Sequence, residues 1–245
     1  MAANSTITYK RDELRDSFLK RGLVVVAGTG VSRQTAGFPE QPGSQVAGWQ
    51  GLLESGVDYC ERYQLVTPKN ADIARIEIRK PDSTDDLIDV AGKIVSWLDD
   101  RRNGRIQWIK ETIGQLRVHD SALIKAIEGL GGLITTLNYD DLLHTVTSRE
   151  CVHWKELQKI NGNIINYPQD YILHIHGHWS SLDSIILDRQ SYNALLKDDK
   201  IQHLIKGFAL YNTMLFIGCG ETFQDPNFQM LIKWCDSALE GNSVQ

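Results

Sequence analysis

Four short stretches carry the residue types and spacings that could do chemistry. The first is Gly28-Thr29-Gly30-Val31-Ser32, directly after the apolar run Leu23–Ala27. Two glycines around one small residue let backbone N–H groups come close to an anion. The last glycine of a GxGxxG pattern is missing, and so is the GK[ST] of a P-loop, so a tight strand-to-helix turn without a ligand remains an equal reading. The second is Thr135-Thr136-Leu137-Asn138-Tyr139-Asp140-Asp141. An amide both donates and accepts, which suits Asn138 to hold a sugar hydroxyl or a water in one orientation. Asp140 could serve beside it or cap the following helix. The third is Leu173-His174-Ile175-His176-Gly177-His178. On a strand its three histidines would share a face at intervals of about 6.5–7 Å. Gly177 suits a strand end where a ligand comes close, which singles out His176 as a general base and leaves His174 as a core histidine. No carboxylate or cysteine cluster follows at ligand spacing, so no metal is expected. The fourth is Gly218-Cys219-Gly220-Glu221-Thr222, after the buried-looking run Leu215-Phe216-Ile217 and before Asp225-Pro226-Asn227. It offers a second place for an anionic or ribose group, with Cys219 either a small packed residue or a thiol without an identifiable base.

These stretches must be positioned by the elements around them. Leu23–Ala27 predicts a buried parallel strand, and Asp12–Lys20 a helix before it that stops at Gly22. Residues 33–45, with two of the six prolines and two glycines, predict a loop. From Val46 to Gly129 the apolar spacing is helical. Trp49, Leu52, Leu53, Val57 and Cys60 form one stripe, and Leu87, Val90, Ala91, Ile94, Val95 and Leu98 another behind Ser83-Thr84-Asp85. Ile106, Ile109, Ile113 and Leu116 form a third, and Ala122–Leu130 a fourth. Further strands are expected at Leu133–Leu137, Tyr171–His176, Ser184–Asp188 and Thr213–Ile217. Helices are expected from Tyr139, over Gln190–Lys206 and over Pro226–Leu239. The alternation predicts an α/β fold, a Rossmann-like doubly wound parallel sheet with an inserted helical subdomain. The core would take residues 20–45 and 130–240 of a single domain spanning 1–245, and the insertion 46–129.

Composition narrows the function. The 245 residues carry 26 Lys and Arg against 31 Asp and Glu, a net charge of −5, which disfavours nucleic acid or an anionic membrane as the main partner. No apolar run reaches the length of a membrane span, and the N-terminus lacks a signal-peptide pattern. Four scattered cysteines without a CxxC pair exclude a disulfide scaffold and point to a reducing, cytoplasmic setting.

In their order along the chain, Gly28-Thr29-Gly30-Val31-Ser32, Thr136-Leu137-Asn138-Tyr139-Asp140, His176-Gly177 and Gly218-Cys219-Gly220 before Asp225-Pro226-Asn227 resemble the SIR2 family. The Thr136–Leu143 and Asp225–Phe228 segments are more similar to its NAD-cleaving immune-effector branch than to the sirtuin deacylases. The deacylases' four-cysteine zinc module is absent from the sequence, and Gly28-Thr29-Gly30 stands where Gly-Ala-Gly is usual. The resemblance implies a NAD+ hydrolase that releases nicotinamide, with NAD as substrate and no metal. It assigns the pyrophosphate to Ala27, Gly28, Thr29, Gly30 and Ser32, the ribose or attacking water to Asn138, and proton removal to His176. Asp140 would lie near the nicotinamide, and Gly218, Cys219, Gly220 and Thr222 near the adenosine half. A homo-oligomer or an attached sensor domain is the implied partner, and the chain would be the N-terminal part of a longer protein. Two other readings stay open: a NAD-dependent protein deacylase, and a non-catalytic domain that senses NAD or ADP-ribose.

Overall fold

A computed structural model describes residues 22–81, 83–160 and 167–220. Five strands, β1 (Leu23–Ala27), β2 (Leu133–Thr136), β3 (Glu150–His153), β4 (Tyr171–His174) and β5 (Thr213–Ile217), form one sheet in the order β3-β4-β2-β1-β5. Every neighbouring pair is parallel. This is the α/β, Rossmann-like arrangement that the alternation of elements predicts. Burial on both faces explains why β1 is apolar throughout. Val24 and Val26 pack on one face with Leu133 and Leu173, while Leu23, Val25 and Ala27 pack on the other with Ile134 and Ile172.

The register decides where chemistry can sit. Ala27 is paired with both Thr136 and Ile217, Thr136 with His174, and His174 with His153. These five residues end their strands, so the sheet stops along a single row at its carboxyl edge. The chain moves outward from β1 to β2 on one side and returns to place β5 on the other. The crevice where ligands enter such sheets therefore lies beyond the ends of β1 and its neighbours.

Between β1 and β2 the described residues form helices and no strand: α1 (Thr29–Thr35), α2 (Trp49–Arg62), α3 (Pro68–Arg79), α4 (Thr84–Asp99), α5 (Gly104–Glu111) and α6 (Ala122–Glu128). Leu52, Leu53 and Val57 of α2, Ala71, Ala74 and Ile78 of α3, Ile94 and Leu98 of α4, and Trp108 and Ile109 of α5 share one core, joined by Tyr139, Ile185 and Leu187. Then follow α7 (Leu142–Thr147), α8 (Arg189–Lys197) and α9 (Asp199–Tyr211). No helix among the described residues is long and apolar enough to cross a membrane.

Several elements differ from the sequence reading. The loop expected from residue 33 begins only after α1, and the helix expected through Leu116 ends at Glu111, with a 3-10 turn over Ile113–Gln115. The helix expected from Tyr139 starts at Leu142. That over Gln190–Lys206 is two helices, broken at Asp198, whose carboxylate accepts from the N–H groups of Lys200 and Ile201 and so starts α9. Ser184–Asp188 is not a strand: a 3-10 turn, Leu182–Ser184, runs into an extended segment outside the sheet. Helix α3 and strand β3 were not expected. The helices expected over Asp12–Lys20 and Pro226–Leu239, and Thr222, lie outside the described residues.

Candidate functional site

Gly28, Asn138, His176 and Gly218, one from each of the four stretches singled out by residue type, stand one or two residues beyond the strand-end row. At the first, Gly28 N–H donates to the Ile217 carbonyl and Gly30 N–H to the Gly218 carbonyl, both at 2.9 Å. A Cβ on Gly28 would stand 2.6 Å from the Gly218 oxygen, and one on Gly30 would stand 2.8 Å from the Gly218 Cα. The glycines thus let the turns after β1 and β5 touch backbone to backbone, and both of their amides are used within the chain. Ala27 is buried in the sheet, Thr29 opens α1, and Ser32, one turn along, is buried.

Ser32 ties this turn to the second stretch. Its hydroxyl donates to Asp140 Oδ2 at 2.6 Å and accepts from Asn138 Nδ2 at 2.7 Å. Asn138 Nδ2 also donates to the Gly28 carbonyl at 2.9 Å, and Asn138 N–H donates to the Thr136 hydroxyl. The Asn138 side chain is thereby fixed across the ends of β1 and β2. Its Oδ1 is buried and has no hydrogen-bond partner among the described residues. Such an acceptor costs about 1–3 kcal/mol if left unmet, and it has the capacity to take a donor. Asp140 accepts from Leu142 N–H at 3.0 Å, so it also serves the start of α7. Burial pushes its carboxyl pKa up, and the Ser32 and Leu142 hydrogen bonds pull against that shift.

The histidines separate. Strand β4 ends at His174, and the turn at Ile175–His176 breaks the alternation that would have kept all three on one face. His176 is buried with its ring edge-on to Tyr192, centroids 5.6 Å apart. Tyr192 belongs to the core on the Leu173 face of the sheet. The backbone of His176 stays beside that of Asn138, because Ile175 N–H donates to the Thr136 carbonyl and Trp179 N–H to the Tyr139 carbonyl. Gly177 has φ +91°, and a Cβ there would collide with the Ser184 carbonyl. The close approach expected at this glycine is made by the chain itself.

His174 and His178 lie together, ring centroids 4.9 Å apart, and His144 of α7 stacks on His174 at 4.9 Å. His174 Nδ1 is 2.8 Å from the Asn138 carbonyl, and His178 Nε2 is 2.7 Å from Asp141 Oδ1. Burial drives the pKa of His174 well below the ordinary imidazole value, with His144 and His178 adding, and burial lowers that of His144 as well. Cys151 of β3 completes the group: its sulfur and one ring nitrogen from each of the three histidines lie within 4.8 Å of one another. Sequence spacing concealed this cluster, since His144 and Cys151 come from a helix and an edge strand with no shared motif.

In the fourth stretch Gly218 has φ +69°, and Cys219 is buried with its thiol donating to the Val26 carbonyl at 3.3 Å. Burial pushes that thiol up to about 11, which suits a packed residue and not a nucleophile. Gly220 is exposed.

Residues 132–245 match the family described as the SIR2-like domain. The matched part contains Asn138, Asp140, His176 and the Gly218–Gly220 turn. The Gly28–Ser32 turn lies before it and is joined to it by the Ser32, Asn138 and Gly218 contacts.

Proposed function

We propose that this chain is a NAD+ hydrolase, which cleaves the bond between nicotinamide and ribose to give nicotinamide and ADP-ribose or its cyclic form. The observation that carries the reading is the buried Oδ1 of Asn138, unpartnered among the described residues and held at the carboxyl edge of the sheet within the SIR2-like match. A ribose hydroxyl or a water is the donor such an acceptor needs. Cleaving this bond leaves positive charge on the sugar ring, so the protein's task is to fix the ribose and present a nucleophile.

Asn138 orients the ribose or the attacking water, while Ser32 and Asp140 keep its amide in one rotamer. His176 takes a proton from a ribose hydroxyl or that water, work for which imidazole is suited at neutral pH. The turn from Ala27 to Ser32 lies against the pyrophosphate. Because the Gly28 and Gly30 amides are committed to β5, that turn contributes its shape and its Thr29 and Ser32 side chains more than those two donors. Asp140 borders the nicotinamide, and Gly218, Cys219, Gly220 and Thr222 border the adenosine half. The resemblance further supports a single SIR2-like domain acting as an immune effector that depletes NAD in the cytoplasm. An attached sensor or self-assembly would switch it on.

The test is to incubate the purified protein with NAD and identify the products by mass. Nicotinamide with ADP-ribose, linear or cyclic, in the absence of any peptide is expected. Nicotinamide that appears only with an acyl-lysine peptide would make the protein a deacylase. Binding of NAD or ADP-ribose with no nicotinamide released would make it a sensor.

A further inference from the structure

The group formed by His144, Cys151, His174 and His178 has no part in the reading above, yet its geometry is specific. His144 Nδ1 faces the Arg149 carbonyl at 3.1 Å, and His174 Nδ1 faces the Asn138 carbonyl at 2.8 Å. A carbonyl oxygen only accepts, so each of these nitrogens carries the ring proton. In a neutral imidazole the other nitrogen is then a bare lone pair. Those two nitrogens, both Nε2, point at one another across 2.6 Å. Two lone pairs repel at that distance unless a cation lies between them. Holding one ring nitrogen by a backbone carbonyl so that the other stays free is also how metal-bound histidines are oriented. His178 Nε2 donates to the Asp141 carboxylate, which in turn accepts from Trp179 Nε1 at 2.5 Å, and His178 Nδ1 lies 2.8 Å from the Ser180 hydroxyl, a contact that must open for this nitrogen to take an ion. Cys151 supplies a sulfur, and its place on the exposed edge strand gives an ion a way in.

We propose that His144, His174, Cys151 and His178 bind one zinc ion. Imidazole and thiolate are the ligands a borderline-soft divalent ion prefers, and four protein donors make a closed, structural site. Tetrahedral zinc, with bonds of about 2.0–2.3 Å, sets its ligands roughly 3.3–3.7 Å apart. The 4.8 Å span of the four donor atoms therefore needs only a small contraction, with the His144–His174 pair opening slightly. Binding displaces the Cys151 thiol proton to solvent and forms a zinc–thiolate bond. The ion would tie β3, β4 and α7 together, and His174 would carry that restraint to the Asn138 backbone. This site is independent of whether the chain cleaves NAD.

The experiment uses the full chain, purified without a histidine tag from zinc-supplemented cells, with metal measured by mass spectrometry. About one zinc per chain is expected, falling at least ten-fold in Cys151→Ser and in His144→Ala. Because a variant could fail to fold, wild-type protein stripped by a chelator is also titrated with cobalt(II). The intense visible bands of tetrahedral cobalt, with a thiolate charge-transfer band, are expected, and Cys60→Ala should keep both. The proposal is overturned if the wild type carries less than about one-tenth of a zinc per chain and gives no tetrahedral cobalt spectrum. A cobalt spectrum unchanged in Cys151→Ser would overturn it equally.

Discussion

Asn138 and Asp140 belong to one buried polar network, on which both the fold and the proposed chemistry would depend. Ser32 gives its proton to Asp140 and takes one from Asn138, so the amide is steered by a carboxylate it does not touch directly. The cost falls on Asp140, whose carboxyl is raised by burial and by the charge of Asp141, against the hydrogen bonds from Ser32 and Leu142. The folded protein therefore keeps a proton there at pH values where the unfolded chain, with its value near 3.9, has lost it. Its contribution to stability is full below that value and is lost as pH rises through the folded-state value. The stability of Asp140→Asn relative to wild type should accordingly improve between about pH 4 and pH 7, read from thermal unfolding at both. A difference that does not change with pH would show that Asp140 carries no such burden. Both residues were legible as strand-end polar groups after Thr135-Thr136. Their links to Ser32 were not, because they span 106 residues from Asn138 and 108 from Asp140 and depend on β1 pairing with β2.

The elements explain what the glycines do. Gly28 and Gly30 read in sequence as donors for an anion, but their first role is to let the turns after β1 and β5 meet. Gly30→Ala pushes a Cβ to 2.8 Å from the Gly218 Cα, a backbone contact that cannot yield without parting the turns. It should lose about 1–3 kcal/mol of unfolding free energy. Gly92→Ala, inside α4 with open space around it, should gain about 0.5–1 kcal/mol, because the unfolded chain loses freedom and nothing clashes. Equal effects in urea unfolding would contradict this difference. The strands that the sequence reading found are runs rich in apolar residues: β1 and β2 are buried throughout, β4 in its last three residues, and β5 is half-buried. Strand β3 escaped because Glu150 and Cys151 are exposed and only Val152 and His153 are buried, leaving no apolar run. Ser184–Asp188 misled for the opposite reason. It is apolar, yet its backbone is satisfied outside the sheet: Ile186 N–H donates to the His176 carbonyl, and the Tyr139 hydroxyl donates to the Ile186 carbonyl. Helix α3 offered a start signal in Thr67-Pro68, but its buried face is mostly alanine, Ala71 and Ala74 with Ile78, which gives little periodic contrast.

At the scale of the whole molecule, a sheet whose five strands end in one register gathers residues from distant parts of the chain along a single edge. Motif order was enough to expect that edge, since each stretch follows an apolar run. The histidine cluster beside it was hidden, because its members share no run and no spacing. The edge sets Asn138 beside the first turn and brings the His176 backbone next to it, while the helices between β1 and β2 pack on Tyr139, Ile185 and Leu187. If the edge works as one catalytic site, removing either polar group should abolish chemistry without abolishing recognition. The most direct measurement records NAD binding by calorimetry and nicotinamide release by mass spectrometry in the same samples of wild type, Asn138→Ala and His176→Ala, with folding checked by circular dichroism. The expected result is that both variants stay folded and bind NAD while releasing nicotinamide at least about 10²-fold more slowly. Release at the wild-type rate from either folded variant would contradict the assignment.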